Sequence, residues 1–470
     1  MSAAGLAAAQ QKMRERGLHA ATIRAFTRAY RRLESHESGL LPDAQLEPVS
    51  DLPTLSELPE PEPGDRSTLD SVVAIRLNGG LGTSMGVQQP KSLIEAREGL
   101  SFLDVIVGQI LALRERLGVR LPLVLMNSFA TREPTLAALT RHPRLAADLP
   151  PDFTQGKEPK LRADDLEPVS WPAQPALEWC PPGHGDLYVA LLASGLLETI
   201  LERGYRYAFV ANSDNLGAVV EPRIPAHMKA NAIPFLMEVV HGTEADRKGG
   251  HIARHLADGR LVLRETAQTP TDEIESFSDF RRWRYYNTNN LWIDLRALRE
   301  MLDRDDAGLD LPLIVNRKTV DPRDPESTPV IQLESAMGAA IGAFPGARAL
   351  EVPRVRFAPV KTTNDLLLLR SDVYRLGPAL TVEPIPSRRD RLPFVDLDGR
   401  YYAMLDAFEA RFAAGPPSLA AAERLVVRGD VTFAAGVVVR GAVTLDNDGR
   451  APITIAAGTV LDERFTLPIR

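Results

Sequence analysis

Ser71-Val-Val-Ala-Ile-Arg-Leu77 runs directly into Asn78-Gly-Gly-Leu-Gly-Thr-Ser-Met-Gly-Val-Gln-Gln-Pro-Lys91. The first segment is apolar and β-branched, the composition of a buried strand. The second is a glycine-rich loop at the end of that strand, where an α/β fold places a nucleotide phosphate. Glycines there let backbone N–H groups come close to phosphate oxygens. Two familiar fingerprints fail. A G-x-G-x-x-G loop starting at Gly80 needs glycine at position 85, where Met85 stands, and a Walker A loop needs glycine before its lysine, where Pro90 stands. An NAD-dependent oxidoreductase and a P-loop NTPase are excluded on those residues.

Downstream of the loop, Phe102 to Leu117 reads as an amphipathic helix and Pro122-Leu-Val-Leu-Met126 as the next strand. Strand, helix, strand is the βαβ pattern of a parallel sheet. The alternation continues with a helix near Asp186–Arg203, strands at Tyr207–Ala211 and Pro234–Val240, and a helix over 331–344, with antiparallel additions near 250–295. The expected class is α/β, one large domain over 66–375 with a mixed, mostly parallel sheet. Upstream, 2–36 reads as helical with a break near Gly17, and Ile23, Phe26, Tyr30 and Leu33 form one apolar stripe. Leu41 to Asp65 carries prolines at 42, 48, 53, 59, 61 and 63, a density that predicts an extended surface connector without regular elements. Residues 1–65 are thus helices plus connector. Residues 376–470 form a linker and a last unit, where Leu425 to Leu445 has Val-rich runs punctuated by Gly429, Gly436 and Gly441. A small β-helix is the expectation, against a β-sandwich fragment.

The chain has 470 residues, a formal net charge of -7 and one cysteine, Cys180. That length allows roughly two to four domains. No internal disulfide can form, which fits the cytoplasm. The charge argues against nucleic acid as a partner. No apolar stretch of about 18 residues occurs, so no spanning helix and no membrane partner are expected. Only eight of the 55 cationic side chains are lysines. A lysine in a loop such as Lys91 is correspondingly more informative.

Three further loops accompany the first. Trp179-Cys-Pro-Pro-Gly-His-Gly-Asp186 is rigid and opens a helix, with Gly183 and Gly185 beside His184. Phe209-Val-Ala-Asn-Ser-Asp-Asn215 ends a strand on Asn212, Ser213 and Asp214, and a carboxylate there could hold Mg2+ together with phosphates. Arg354-Val-Arg-Phe-Ala-Pro-Val-Lys-Thr-Thr-Asn-Asp365 places Lys361 after a strand-like segment.

These loops, in this order, resemble the eukaryotic-type UTP–glucose-1-phosphate uridylyltransferase family (UDP-glucose pyrophosphorylases). Leu125-Met-Asn-Ser-Phe, Tyr286-Asn-Thr-Asn-Asn-Leu-Trp292 and Val330-Ile-Gln-Leu-Glu334 add collinear blocks. The resemblance implies a Rossmann-like nucleotidyltransferase domain with an N-terminal helical extension and a C-terminal β-helix, acting on UTP and glucose 1-phosphate with Mg2+. Carried over by motif, Leu77, Asn78, Gly79 and Gly80 wrap the nucleotide, with Met126 beside them. Lys91 neutralises the UTP phosphates and Lys361 sits at the reacting phosphates, both in catalytic roles. Gln155 reads uracil with the backbone at Gly183. His184 and Asn212 lie along the sugar nucleotide, Asp214 serves the metal, Glu265 and Asn289 are candidate glucose contacts, and Ser213 and Asn287 are further substrate-binding residues. Homo-oligomerisation through the C-terminal region stays open. So do two other readings: a uridylyltransferase with a broader sugar range (galactose 1-phosphate or N-acetylhexosamine 1-phosphate), and a non-catalytic nucleotide-sugar binding protein.

Overall fold

The computed structural model describes residues 3–37, 39–61, 66–304, 308–389, 391–447 and 451–465. Ser2 of the expected first helix, Pro63 and Asp65 of the connector and the chain beyond 465 lie outside the described residues.

The Val72–Asn78 strand is the middle of the parallel half of the central sheet. It pairs parallel with Tyr207–Asn212 on one side and Leu123–Asn127 on the other, and Asp152–Thr154 continues the parallel order. Its side chains alternate between two cores. Val72 and Ala74 enter one apolar cluster, Val73 and Ile75 the other. Burial on both faces explains why the run is apolar without alternation. The other half of the sheet is antiparallel, with Tyr285–Asp294 pairing Tyr207–Asn212 and Phe235–His241, and His251–His255 pairing Leu261–Arg264. The Phe102–Leu117 helix starts on a Ser101–Asp104 capping box and ends at Gly118 with φ +62°. Because the four central strands are parallel, their C-terminal ends share one edge. Leu77 sits in register with both Met126 and Asn212 there, and Gln155 follows directly on the Asp152–Thr154 strand.

The helices Ala3–Glu15 and Ala20–Glu34 flank Gly17, with φ +67°. Phe26 and Tyr30 are buried, with Ile23 and Leu33 packed around them, against Leu161, Trp179 and Leu333. The last unit stacks parallel strands. Phe394–Leu397, Ser418–Arg428, Val438–Asp446 and Val460–Leu461 pair in that order, and Val431–Phe433 pairs with Ile453–Ile455 in a second sheet.

Four sequence expectations are corrected. Residues 331–344 are not a helix: Pro329–Glu334 is a strand paired with Ile314–Thr319, followed by a short 3-10 turn at Met337–Gly342. The β-branched Val330-Ile331 pair and the cross-strand partners outweigh the helical pattern. The helix over 186–203 is broken into Leu187–Ala193 and Leu196–Glu202 by Gly195, with φ +71°. The proline-rich connector contributes a short edge strand, Leu46–Pro48, paired with His255 to Ala253, where an edge position tolerates Pro48. The segment before Lys361 is a 3-10 turn at Arg354–Arg356, not a strand.

Candidate active site

The glycine loop folds back on itself. Leu81 bridges Pro90, and Lys91 N–H donates to the Gly80 carbonyl at 3.2 Å. That return brings Lys91 to the C-terminal edge of the sheet, where its ammonium pairs with Asp214 Oδ2 at 2.7 Å. Leu77, Asn78, Gly79, Gly80, Lys91, Met126, Gln155, Gly183, His184, Asn212, Ser213 and Asp214, all expected site residues, line one cleft of about 290 Å3 with Ser92 and Pro181.

The floor of the cleft holds unpaired polar atoms. Ser92 Oγ, Ser213 Oγ and Asp214 Oδ1 are buried and have no hydrogen-bond partner among the described residues. Buried polar atoms are almost always paired in folded proteins, so three orphans on one cleft mark a place built for a polar ligand. Ser92 is a site residue that sequence reasoning missed; its one signal is its place beside Lys91. Asn78 plays a different part from the other loop residues, since its amide nitrogen is engaged by Asn127 Oδ1 and Thr135 Oγ1 inside the fold.

Gln155 lies across Gly79: a Cβ there would stand 2.8 Å from its Oε1 and 2.9 Å from its Nε2. The next residue, Gly156, donates its N–H to Asp186 Oδ2 at 2.5 Å. Asp186 is buried, and that burial pushes its carboxyl up to about 7, opposed by the Gly156 bond. It ties the Gln155 loop to the His184 loop, a connection no spacing in the sequence shows. Gly183 has φ +79°, and a Cβ there would stand 2.6 Å from the Ser335 carbonyl. Ser335 in turn donates its N–H to the Pro182 carbonyl and accepts from Gly185 N–H. The loop is thus held by backbone on both sides.

His184 opens onto the cleft but is walled by protein on its other sides. Its Nδ1 accepts from Met337 N–H at 3.0 Å, which leaves the proton on Nε2 facing outward as a donor. Enclosure, with the Lys361 ammonium adding to it, lowers its pKa to about 4, so it is neutral at pH 7.

Lys361, Glu265, Asn287 and Asn289 stand beside this cleft rather than in its lining. Met337 and Gly338 join the two regions, because a Cβ at Gly338 would touch Asn287 Nδ2 at 2.9 Å. Asn287 Nδ2 donates to Asn289 Oδ1 at 2.9 Å, and Asn289 adopts φ +58°. Burial raises Glu265 to about 7, with Lys361 opposing the shift. Lys361 therefore acts electrostatically on both His184 and Glu265. The exposed Lys361 ammonium has no ion-pair partner among the described residues. Its segment is anchored to the cleft by Val360 N–H, which donates to the Asp214 carbonyl at 3.0 Å.

Comparison with known proteins gives a consistent result. The family profile described as UTP–glucose-1-phosphate uridylyltransferase matches residues 23–440. The UTP–glucose-1-phosphate uridylyltransferase of Hordeum vulgare is 39% identical over 412 residues, covering 87% of this chain and 85% of the barley protein. A crystal structure of a point mutant of UDP-glucose pyrophosphorylase from Leishmania major in complex with UDP-glucose superposes with a TM-score of 0.94 at 42% identity, covering 98% of this chain and 99% of that one. A UDP-glucose phosphorylase structure from Trypanosoma brucei gives 0.92 at 40% identity, covering 99% and 100%.

Proposed function

The chain belongs to the UTP–glucose-1-phosphate uridylyltransferase family, and on that premise we propose that it converts UTP and glucose 1-phosphate into UDP-glucose and pyrophosphate. A phosphate oxygen of the sugar attacks the α-phosphorus of UTP in line. The bond from that phosphorus to the bridging oxygen breaks, and pyrophosphate leaves with the electron pair. A phosphate monoester has its second pKa near 6, so the nucleophile is already an anion at pH 7 and no general base is required. The obstacle is mutual repulsion of two polyanions. Catalysis is therefore positioning and cationic stabilisation.

The roles follow from that need. Leu77 to Gly80 cradle the nucleotide, Gln155 reads uracil beside Gly183, and His184 donates its Nε2–H along the sugar nucleotide with Asn212 and Ser213. Glu265, Asn287 and Asn289 take the glucose hydroxyls. Lys91 and Lys361 approach the phosphates from two walls. Asp214 fits a divalent cation such as Mg2+ because its Oδ1 is buried and unpaired. Among the described residues no group of three His, Cys, Asp or Glu side chains could hold a metal, so Asp214 would hold the ion together with substrate phosphate oxygens and water. When bound, the ion would supply charge neutralisation at the phosphates. We assign 1–65 to helices and connector, 66–375 to the catalytic domain and 376–470 to a linker and short β-helix, the latter supported by the alternating parallel pairings. No helix among the described residues is long and apolar enough to cross a membrane. The single buried cysteine suits the cytoplasm.

The observation that carries this reading is the Lys91–Asp214 pair with three orphaned polar atoms on one cleft, and the Lys361 segment tied to Asp214 through Val360 N–H. The test is pyrophosphate release from UTP across a panel of sugar 1-phosphates, with and without a chelator. Turnover with glucose 1-phosphate, abolished by chelation, is expected. Absence of turnover with every sugar phosphate would refute an enzyme of this type.

A further inference from the structure

Asn215 directly follows the proposed metal carboxylate, and it is 1% exposed. Its side chain uses every hydrogen bond a carboxamide offers. Nδ2 donates to Asn290 Oδ1 at 3.2 Å and to the Arg356 carbonyl at 3.1 Å. Oδ1 accepts from Gly217 N–H at 3.2 Å and from Ala358 N–H at 3.0 Å. Two of those partners, Arg356 and Ala358, belong to the segment that ends on Lys361. The two segments lie backbone against backbone, and a Cβ at Gly217 would collide with the Val355 carbonyl. The Val360 bond to the Asp214 carbonyl and the Asn215–Pro359 bridge extend the same seam.

Both sides of the seam are set in buried charge. Arg76, 2% exposed, donates to the carbonyls of Asn212, Asn215 and Ala218. Arg356 makes two bonds to the fully buried Glu238, at 2.6 and 2.8 Å. Arg76, Arg356 and Glu238 are not among the residues that line the cleft. A saturated buried amide between two rigidly held segments can shift only by breaking several bonds at once.

We infer that Asn215 is a positioning residue: by clamping the 356–360 segment to the Asp214 loop, it fixes where the Lys361 ammonium stands relative to Lys91 and Asp214. This rests on the uridylyltransferase reading above. A displacement of about 1 Å at a reacting centre costs about 10²-fold in rate, so the seam is a lever on kcat.

A double-mutant cycle on the full chain tests it, with kcat and KM for UTP measured in wild type, Asn215→Ala, Lys361→Ala and the double variant, and folding checked by thermal unfolding. The expected result is a loss of about 10²-fold in kcat for Asn215→Ala with little change in KM for UTP. In the Lys361→Ala background the same change should cost no more than about twofold, because the group it positions is gone. An equal loss in both backgrounds overturns the inference and leaves only a structural role. If Asn215→Ala fails to fold, Asn215→Asp takes its place in the cycle: it keeps the side-chain volume and both acceptor bonds but loses both donor bonds, and its kcat loss should likewise shrink to no more than about twofold in the Lys361→Ala background. A folded wild type without uridylyl transfer would overturn the underlying reading, which the cycle's first corner reports separately.

Discussion

Asp214 divides its two oxygens. Oδ2 holds the Lys91 ammonium at 2.7 Å, while Oδ1 is buried with no partner. The Lys361 ammonium, by contrast, is exposed with no ion-pair partner among the described residues, though it pulls the pKa of both His184 and Glu265 downward. One cation is held on a carboxylate and the other stands ready. Replacing Lys361 with alanine should therefore lower kcat by about 10²-fold or more, about 3 kcal/mol, the typical loss of one electrostatic stabiliser. His184→Ala should cost less. With its pKa near 4 it stays uncharged at neutral pH, and the kcat profile should show no His184 inflection between pH 5 and 8. Steady-state kinetics on the two variants decides this, and a larger loss at His184 in a folded variant would give that ring a chemical role. A third substitution probes base reading. Gly79 has no positive φ, so alanine fits its backbone, but the new methyl meets the Gln155 amide. Gly79→Ala should raise KM for UTP about tenfold, about 1.4 kcal/mol, with kcat and stability nearly unchanged. An unchanged KM would take Gln155 out of base recognition.

At the scale of elements, the site is made by strand ends and the loops that leave them. The strand before the glycine loop was legible because β-branched residues followed by glycines have few alternatives. The helix that follows was legible from its amphipathic spacing, while its Ser101 cap and Gly118 stop are features the structure adds. The Pro181-Pro-Gly-His-Gly loop was legible as a rigid turn, and Gly183 occupies the left-handed region there. Other features were not legible, for identifiable reasons. Val330 to Leu333 can satisfy either periodicity, and only the pairing with Ile314–Thr319 decides for a strand. Asn215 reads as an ordinary turn residue, since its four hydrogen bonds reach residues up to 143 positions away. Asp186 reads as a helix-starting acid, and its bond to Gly156 crosses between loops. Arg76 looks like a flaw in an apolar strand until the carbonyls it serves are seen. Local chemistry announces glycine cradles and lysines, whereas positioning residues depend on tertiary contacts.

On the scale of the molecule, a chain of net charge -7 concentrates cations where they are needed, so the local field and not the total governs phosphate binding. The antiparallel half of the sheet carries a pH-sensitive weakness. His251 is fully buried, stacked on Trp283 at 4.6 Å, and neither ring nitrogen has a hydrogen-bond partner among the described residues. Burial, helped by Arg264, lowers its pKa from 6.5 to about 3. Below pH 6.5 the unfolded chain takes up a proton that the folded chain refuses. Stability therefore falls as pH drops from 6.5 toward 3, by about 1.4 kcal/mol per pH unit. His251→Phe removes that slope. Denaturant unfolding at pH 7 and pH 5 should show wild type losing about 2 kcal/mol more than the variant over that interval. Equal losses would show that His251 accepts its proton in the folded state.

The central claim is that two ammonium groups, carried on separate loops, meet at one phosphate group. A crystal structure of this protein with UDP-glucose measures it directly. Lys91 Nζ and Lys361 Nζ should each lie within about 3.2 Å of diphosphate oxygens, with the uracil against Gln155 and the hexose toward Asn289. A bound sugar nucleotide with either ammonium more than about 6 Å from every phosphate oxygen, beyond direct contact or a single bridging water, would contradict the account.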